Sequence, residues 1–298
     1  KTAEHRRRTL NFEKRKALHG LLFCSPFIVG FLGFFLIPMI QSIRYAFSTV
    51  KLDEAGMTLT FVGLKNFKEA LFADPLYVRT ILESLRGLVV QVPSILIFSL
   101  FVALILNQKF RGRVVARAVF FLPVIVVSGV VLEILQMDDL SQAILSGDGF
   151  RFADESENLF AAIGMPSAAV DLLAPVMQSV FSIVWGSGVQ ILMFLAGLQT
   201  VPPALYECAK IEGATAWETF WKVTFPMISP MILMNIVYTS VDYFTTSVNP
   251  VIRMIAAQSS NMHFEYAAGL SWMYLIVVLL MLGIVYKILN KRIVYVVD

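Results

Sequence analysis

A chain of 298 residues with 57% hydrophobic and 15% charged residues is too apolar for an ordinary soluble domain, in which about a quarter of the residues are charged. A net charge of +3 is too small to mark a nucleic-acid binder, and no basic groove pattern accompanies it. The two cysteines, Cys24 and Cys208, form no CxxC pair and indicate neither a disulfide framework nor a zinc site.

Apolar runs of about 20 residues are long enough to cross the hydrocarbon core of a bilayer. Six are expected: Leu18–Phe47, Leu85–Leu106, Val114–Leu135, Leu172–Leu198, Met227–Val248 and Ala267–Leu289. In lipid they must be helical, because no water is available to an unpaired backbone group. The expected fold is therefore an all-α membrane protein with one transmembrane domain over residues 1–298. The basic start leads into a span too long for the apolar region of a signal peptide. Pro26, Pro38, Pro93 and Pro123 fall inside spans, where they are expected to mark kinks. Glu133 lies near the end of the third span.

Cytoplasmic loops carry an excess of Lys and Arg. With the N-terminus inside, 16 of the 24 Lys and Arg fall on inner segments, so both termini are expected in the cytoplasm. The loop Gln136–Asp171, with Asp138, Asp139, Asp148, Asp154, Glu155, Glu157 and Asp171 against one Arg151, is then extracytoplasmic. The RRR and KRK runs near the N-terminus read as topology anchors.

The inner loop between the fourth and fifth spans, residues 203–227, is charged and aromatic. Its local chemistry predicts two short helices. Pro202 and Pro203 suit a helix start, Glu207 and Lys210 complement the helix dipole, and Gly213 suits the left-handed residue that closes a helix. Thr215 with Glu218 three residues on forms a capping box. Trp217, Phe220, Trp221 and Thr224 then follow at helical spacing, and Pro226 is expected to end the run. The aromatic face is expected to pack on the ends of the spans, leaving the Glu207 face for a partner.

These residues carry a resemblance. Glu207-Cys208-Ala209, then Gly213, then Val223-x-Phe225-Pro226 resembles the signature (EAA) loop of binding-protein-dependent ABC importer permeases. Cys208, Val223 and Phe225 stand where the pattern has Ala, Ile and Leu. The segments FCSPFIVGFLGFFLIPMIQSIRYAF, FVGLKNFKEAL, RAVFFLPVIV, LAGLQTVP and AAGLSWMYLIV are similar to blocks of the carbohydrate-uptake branch, which includes maltose and glycerol-phosphate permeases. The resemblance implies a type I importer architecture in a bacterial cell membrane. It implies pairing with a second permease above an ATPase dimer, and delivery of a sugar by an extracytoplasmic solute-binding protein. The helix from about Pro203 to Glu212 would be the coupling helix, with Glu207, Cys208, Ala209, Glu212, Gly213 and Ala214 at the ATPase contact. The chain has no GxxxxGK[ST] phosphate loop, so ATP and Mg would be held by the partner ATPase; no cofactor, metal or catalytic residue is expected here.

Polar groups within a membrane are expensive and usually face a cavity. In the fourth span Ser182, Trp185, Gly186 and Gln190, and in the fifth Tyr238, Asp242 and Tyr243, are the candidate solute path. Aromatic faces and hydrogen-bonding groups suit a sugar. Interhelical hydrogen bonding explains single polar residues equally well. A non-sugar solute is the alternative within the family. An intramembrane serine protease built on Ser187 and His263 is the enzyme rival. A channel or proton-coupled transporter would need more titratable residues than Glu133 and Asp242.

Overall fold

The computed structural model describes residues 2–53, 56–108, 110–127, 167–246 and 249–291. The far end of the third expected span, with Glu133, and the expected outer loop up to residue 166 lie outside them. Among the described residues the chain is helical apart from one hairpin, and it divides into two compact units: residues 1–75 with 255–273, and residues 76–254 with 274–298.

In the first unit, helix α1 (Thr2–Gly30) runs through a π-helical turn, Phe31–Leu36, into α2 (Ile37–Ala46). Pro26 lies inside α1, and Pro38 closely follows the π-helical turn, whose wider ring eases the clash of a proline with the preceding turn. A β-hairpin follows, β1 (Ser48–Asp53) paired antiparallel with β2 (Gly56–Phe61), Ser48 opposite Phe61 and Val50 opposite Leu59. The hairpin is a small addition to a mostly helical fold: β-branched and apolar residues alternate here with period two, the pattern of a half-buried strand. Asn66, buried in the short helix α3 (Lys65–Lys68), fixes the hairpin to the helix. Its Nδ2 donates to the carbonyls of Ala46 and Ser48, both at 3.0 Å.

The second unit begins with α4 (Pro75–Asn107), which carries Pro93 inside it, and α5 (Arg113–Val127), which includes Pro123. Next come α6 (Ser167–Gly186) and α7 (Gly188–Thr200). The helix start at Ser167 lies within the bounds Gln136–Asp171 of the expected outer loop. The fourth span is also not one rod: its two halves are bent by 51° at Ser187, between Gly186 and Gly188, where two residues of low helix propensity meet. The inter-span loop holds α8 (Pro203–Ile211), α9 (Ala216–Thr219) and the short α10 (Phe225–Met227), and α11 (Ser229–Thr245) follows. A helix not anticipated, α12 (Pro250–Ser260), precedes α13 (Phe264–Asn290).

Among the described residues three helices qualify as spans by length and apolarity: Arg15–Ala46, Pro75–Asn107 and Phe264–Asn290. Two bent pairs, broken at Ser187 and Ile228, qualify if each is counted once. The core of the second unit joins Val102, Ala103 and Leu106 of α4 to Ile191, Phe194, Leu195 and Leu198 of α7, with Val201 and Ile228. Lipid is as apolar as these side chains, so close fit rather than water exclusion holds such helices together. Gly197 shows how close: a Cβ there would lie 2.6 Å from Met231 Cγ.

Candidate functional site

The inter-span loop has the two-helix conformation that its sequence predicts. Pro203 opens α8 in the first turn. At its other end Gly213 takes φ +74°. The Gly213 N–H donates to Lys210 O at 3.1 Å and the Ala214 N–H to Ala209 O at 2.9 Å. This is the Schellman closure, which satisfies the last carbonyls of the helix and needs a residue at ease with positive φ. Thr215 then caps α9. Its Oγ1 accepts the Glu218 N–H at 3.3 Å, while Glu218 Oε2 accepts the Thr215 N–H at 2.9 Å and its hydroxyl at 2.8 Å. These bonds, the backbone one foremost, with Lys222 nearby, hold the Glu218 carboxyl below the usual carboxylate range.

One expectation of the loop is corrected. Pro226 does not end the helical run. Phe220–Thr224 is π-helical, and the chain continues through α10 to Met227 before it breaks. In an α-helix the proline ring would meet the carbonyl four residues back; the wider i→i+5 turn that precedes Pro226 eases this. The segment Ala216–Met227 meets the helix that starts at Ser229 at 66°, so it forms an elbow ahead of the span. The aromatic side chains stack on one another along this elbow: Trp217 on Trp221 at 5.6 Å and Trp221 on Phe225 at 5.0 Å between ring centroids. Trp217 and Trp221 remain exposed. Contact with the core comes instead through Tyr206, whose hydroxyl lies 3.3 Å from that of buried Thr224.

Glu207, Cys208, Glu212 and Gly213 are exposed, and Ala209 and Ala214 are half-buried. Glu207 makes no hydrogen bond or ion pair among the described residues. The loop therefore presents an unpaired carboxylate on a helix with a proline start and a closed end.

The candidate path residues divide into two sets. Gln190 is 1% exposed, and its Nε2 donates to Thr239 Oγ1 at 3.1 Å, joining α7 to α11. Tyr243 donates to Ser84 O at 3.0 Å and lies against Gly87. Gly186 approaches Ile95, with 3.7 Å between a Cβ built there and Ile95 Cδ1. These three tie helices together. Tyr238 and Asp242 are exposed one turn apart on α11, and the Asp242 carboxylate has no hydrogen bond or ion pair among the described residues. On α6, Ser182 is exposed and bonds to its own turn at Ser179 O, while half-buried Trp185 stacks on Phe181 at 5.5 Å. Ser187 is wholly buried and donates to Val184 O at 2.8 Å, which gives it a place in the helix break rather than that of an exposed nucleophile.

Sequence reasoning missed a polar knot in the same unit. Asn249 Oδ1 accepts the Val251 N–H at 3.0 Å, and Asn249 Nδ2 donates to Ser84 Oγ at 2.9 Å and to Tyr243 O at 3.2 Å. Tyr274 donates to Phe244 O at 3.1 Å. The dipeptide Asn249-Pro250 is a helix-start signal, an N-cap residue followed by proline, and would have located α12. The cross-chain bond to Ser84 had no signal in the sequence.

Residues 77–295 match the model of the family described as binding-protein-dependent transport system inner membrane component. The chain belongs to that family. As a permease of this kind it is a multi-pass inner-membrane component of an ABC transporter, not an enzyme. It is 29% identical to the probable ABC transporter permease protein YesP of Bacillus subtilis (strain 168), over 92% of this chain and 91% of that protein. It is 30% identical to the multiple sugar-binding transport system permease protein MsmF of Streptococcus mutans serotype c (strain ATCC 700610 / UA159), over 67% of this chain and 66% of that one. Its fold resembles a chain in the crystal structure of a bacterial alginate ABC transporter in complex with alginate pentasaccharide-bound periplasmic protein. That likeness has a TM-score of 0.65 and 19% identity, and covers 95% of this permease and 96% of the other chain.

Proposed function

We propose that the chain is the permease subunit of an importer for a sugar or oligosaccharide. The solute is delivered by an extracytoplasmic binding protein, and the energy comes from ATP, with Mg, in a separate ATPase dimer. A second homologous permease completes the path. The termini and the loop 203–227 face the cytoplasm, and the loop 136–171 faces outside.

The observation that carries the coupling role is Glu207. It is an exposed, unpaired carboxylate on a short helix fixed at both ends, the form required of an element that passes a push without bending. Glu207, Cys208, Ala209, Glu212, Gly213 and Ala214 form the ATPase contact. The sugar reading is supported by the multiple-sugar relative, by the exposed Tyr238 and Asp242, and by the half-buried Trp185. Ser182 lies on the same helix as Trp185. Gly186, Gln190 and Tyr243 shape the path from behind.

The test is uptake and solute-stimulated ATP hydrolysis in the assembled complex, measured on the same membranes. Glu207→Ala should leave assembly intact and weaken stimulated hydrolysis. Asp242→Asn, which keeps an acceptor oxygen, should impair uptake less than Asp242→Leu. Trp185→Ala should lower uptake more than it lowers assembled complex. Wild-type uptake in all these variants would reject the assignment.

A further inference from the structure

The end of the first span carries a feature that transport does not use. The run Ala17–Ile43 carries no Asp, Glu, Lys or Arg and as a helix is longer than the hydrocarbon core, about 30 Å thick; Arg44 is the first charge after it. The chain therefore reaches the interface at Gln41–Arg44. Half-buried Trp272 donates its indole N–H to Ser42 Oγ at 3.2 Å, and Trp is enriched at that depth.

At this level an open pocket is lined by Ile43, Arg44, Phe47, Ser48, Leu59 and Phe61. Its chemistry is of two kinds. Arg44 is exposed, and it makes no hydrogen bond or ion pair among the described residues. Its position in the last turn of α2 suits the helix dipole, but that leaves the guanidinium donors without acceptors. The rest of the lining is apolar apart from Ser48. The strand register explains why: Ser48, Val50, Leu59 and Phe61 share one face of the hairpin, while Thr49, Thr58 and Thr60 share the other. The apolar face is open, with Phe61 79% exposed. The floor is held in place by the two Asn66 bonds and by Phe47 packed on Phe67 at 5.0 Å.

We propose that this pocket binds one anionic phospholipid, on the membrane face where the first span ends. The phosphate lies on the Arg44 guanidinium, whose planar fork matches phosphate oxygens. An acyl chain lies along Ile43, Phe47, Leu59 and Phe61. Among the described residues, the unpaired Arg44 guanidinium over an apolar floor, at the depth of the lipid headgroups, complements an amphipathic anion. A protein partner would have to bury the open apolar strand face in the zone that lipid already occupies.

The experiment uses the assembled transporter, delipidated in detergent and titrated with phosphatidylglycerol or phosphatidylcholine, with bound lipid counted by native mass spectrometry. Arg44→Gln should weaken phosphatidylglycerol binding about ten-fold, the loss expected for one charge-assisted contact, and weaken phosphatidylcholine less, because its choline already offsets the charge of the phosphate. Arg44→Lys, which keeps the charge without the fork, should fall between. Phe61→Ser should weaken both lipids; the side chain is so exposed that the fold should not suffer. Equal phosphatidylglycerol binding by wild type and Arg44→Gln overturns the proposal. So does unchanged lipid binding in Arg44→Gln with lost stimulation by the solute-binding protein, which would make the pocket a protein-docking surface.

Discussion

Thr215 and Glu218 hold each other reciprocally: Oε2 of Glu218 accepts the Thr215 N–H at 2.9 Å, and Oγ1 of Thr215 accepts the Glu218 N–H at 3.3 Å. Losing an N-cap of this kind costs about 1 kcal/mol. Thr215→Ala should therefore loosen the loop, seen as faster limited proteolysis between Gly213 and Trp217. The pair also carries a pH dependence. The Glu218 carboxyl is held below its usual range, first by the Thr215 backbone N–H, then by its hydroxyl, then by Lys222. A carboxylate held low contributes its full stabilisation above the unfolded pKa, and loses it as pH falls through the folded value. Protection of the loop should fall only at acid pH, and Glu218→Gln should flatten that dependence.

Gly213 and Glu207 separate shape from contact. Gly213 sits at φ +74°, where a residue with a Cβ costs roughly 1–2 kcal/mol. Gly213→Val should open the loop to protease and abolish solute-stimulated ATP hydrolysis. Glu207→Ala should reduce the same hydrolysis with the proteolysis pattern unchanged. Identical proteolysis in both variants would show that the left-handed closure is dispensable.

Gly87 exists to admit Tyr243. A Cβ on Gly87 would run into the Tyr243 hydroxyl and come within 3.2 Å of its ring carbon Cζ. Gly87→Ala should lower the amount of assembled complex and its thermal midpoint. Removing the hydroxyl in Tyr243→Phe should cost about 1 kcal/mol alone, through the lost bond to Ser84 O, yet partly rescue Gly87→Ala. A double variant worse than either single one would refute the steric reading.

Gln190 and Thr239 invert the usual ranking of single and double changes. Nε2 of Gln190 donates to Thr239 Oγ1, while Gln190 Oε1 is buried without a partner. Thr239→Val alone leaves a buried amide donor unmade, at about 1–3 kcal/mol. Gln190→Leu with Thr239→Val removes both polar groups and should restore most of the thermal stability.

Orientation is testable with a native reporter. Cys208 is exposed on α8. In a Cys24→Ser background, a membrane-impermeant maleimide added outside intact cells should label a cysteine placed at Ser156 and spare Cys208. The reverse pattern would invert the topology.

The loop was legible because its stops and starts are local. Pro203, Gly213, Thr215 and Glu218 each act within one turn of chain, and composition alone exposed the apolar spans. Other features rest on balances that no single residue announces. The break at Ser187 needs two flanking glycines and a neighbouring helix to bend against. The π-turn ahead of Pro226 answers a clash visible only once the helix continues. The hairpin after α2 is short and was masked by its apolar surroundings. Among the candidate path residues, Gln190 and Tyr243 proved to be bonded across helices, because residue type says nothing about which face of a helix meets its neighbour.

The π-helical stretch Phe220–Thr224 amounts to one extra residue stored in a helix. Each residue of an α-helix advances the side-chain direction by about 100°. Deleting one residue there would convert the bulge to a regular turn, while the angular phase between Trp217 and the span that starts at Ser229 stayed set by the geometry at each end. Deleting one residue in α8 has no such reservoir, and would swing Glu207 through that full angle relative to the Gly213 closure. The elbow can absorb a change of length, whereas the helix bearing the free carboxylate is keyed to a single phase.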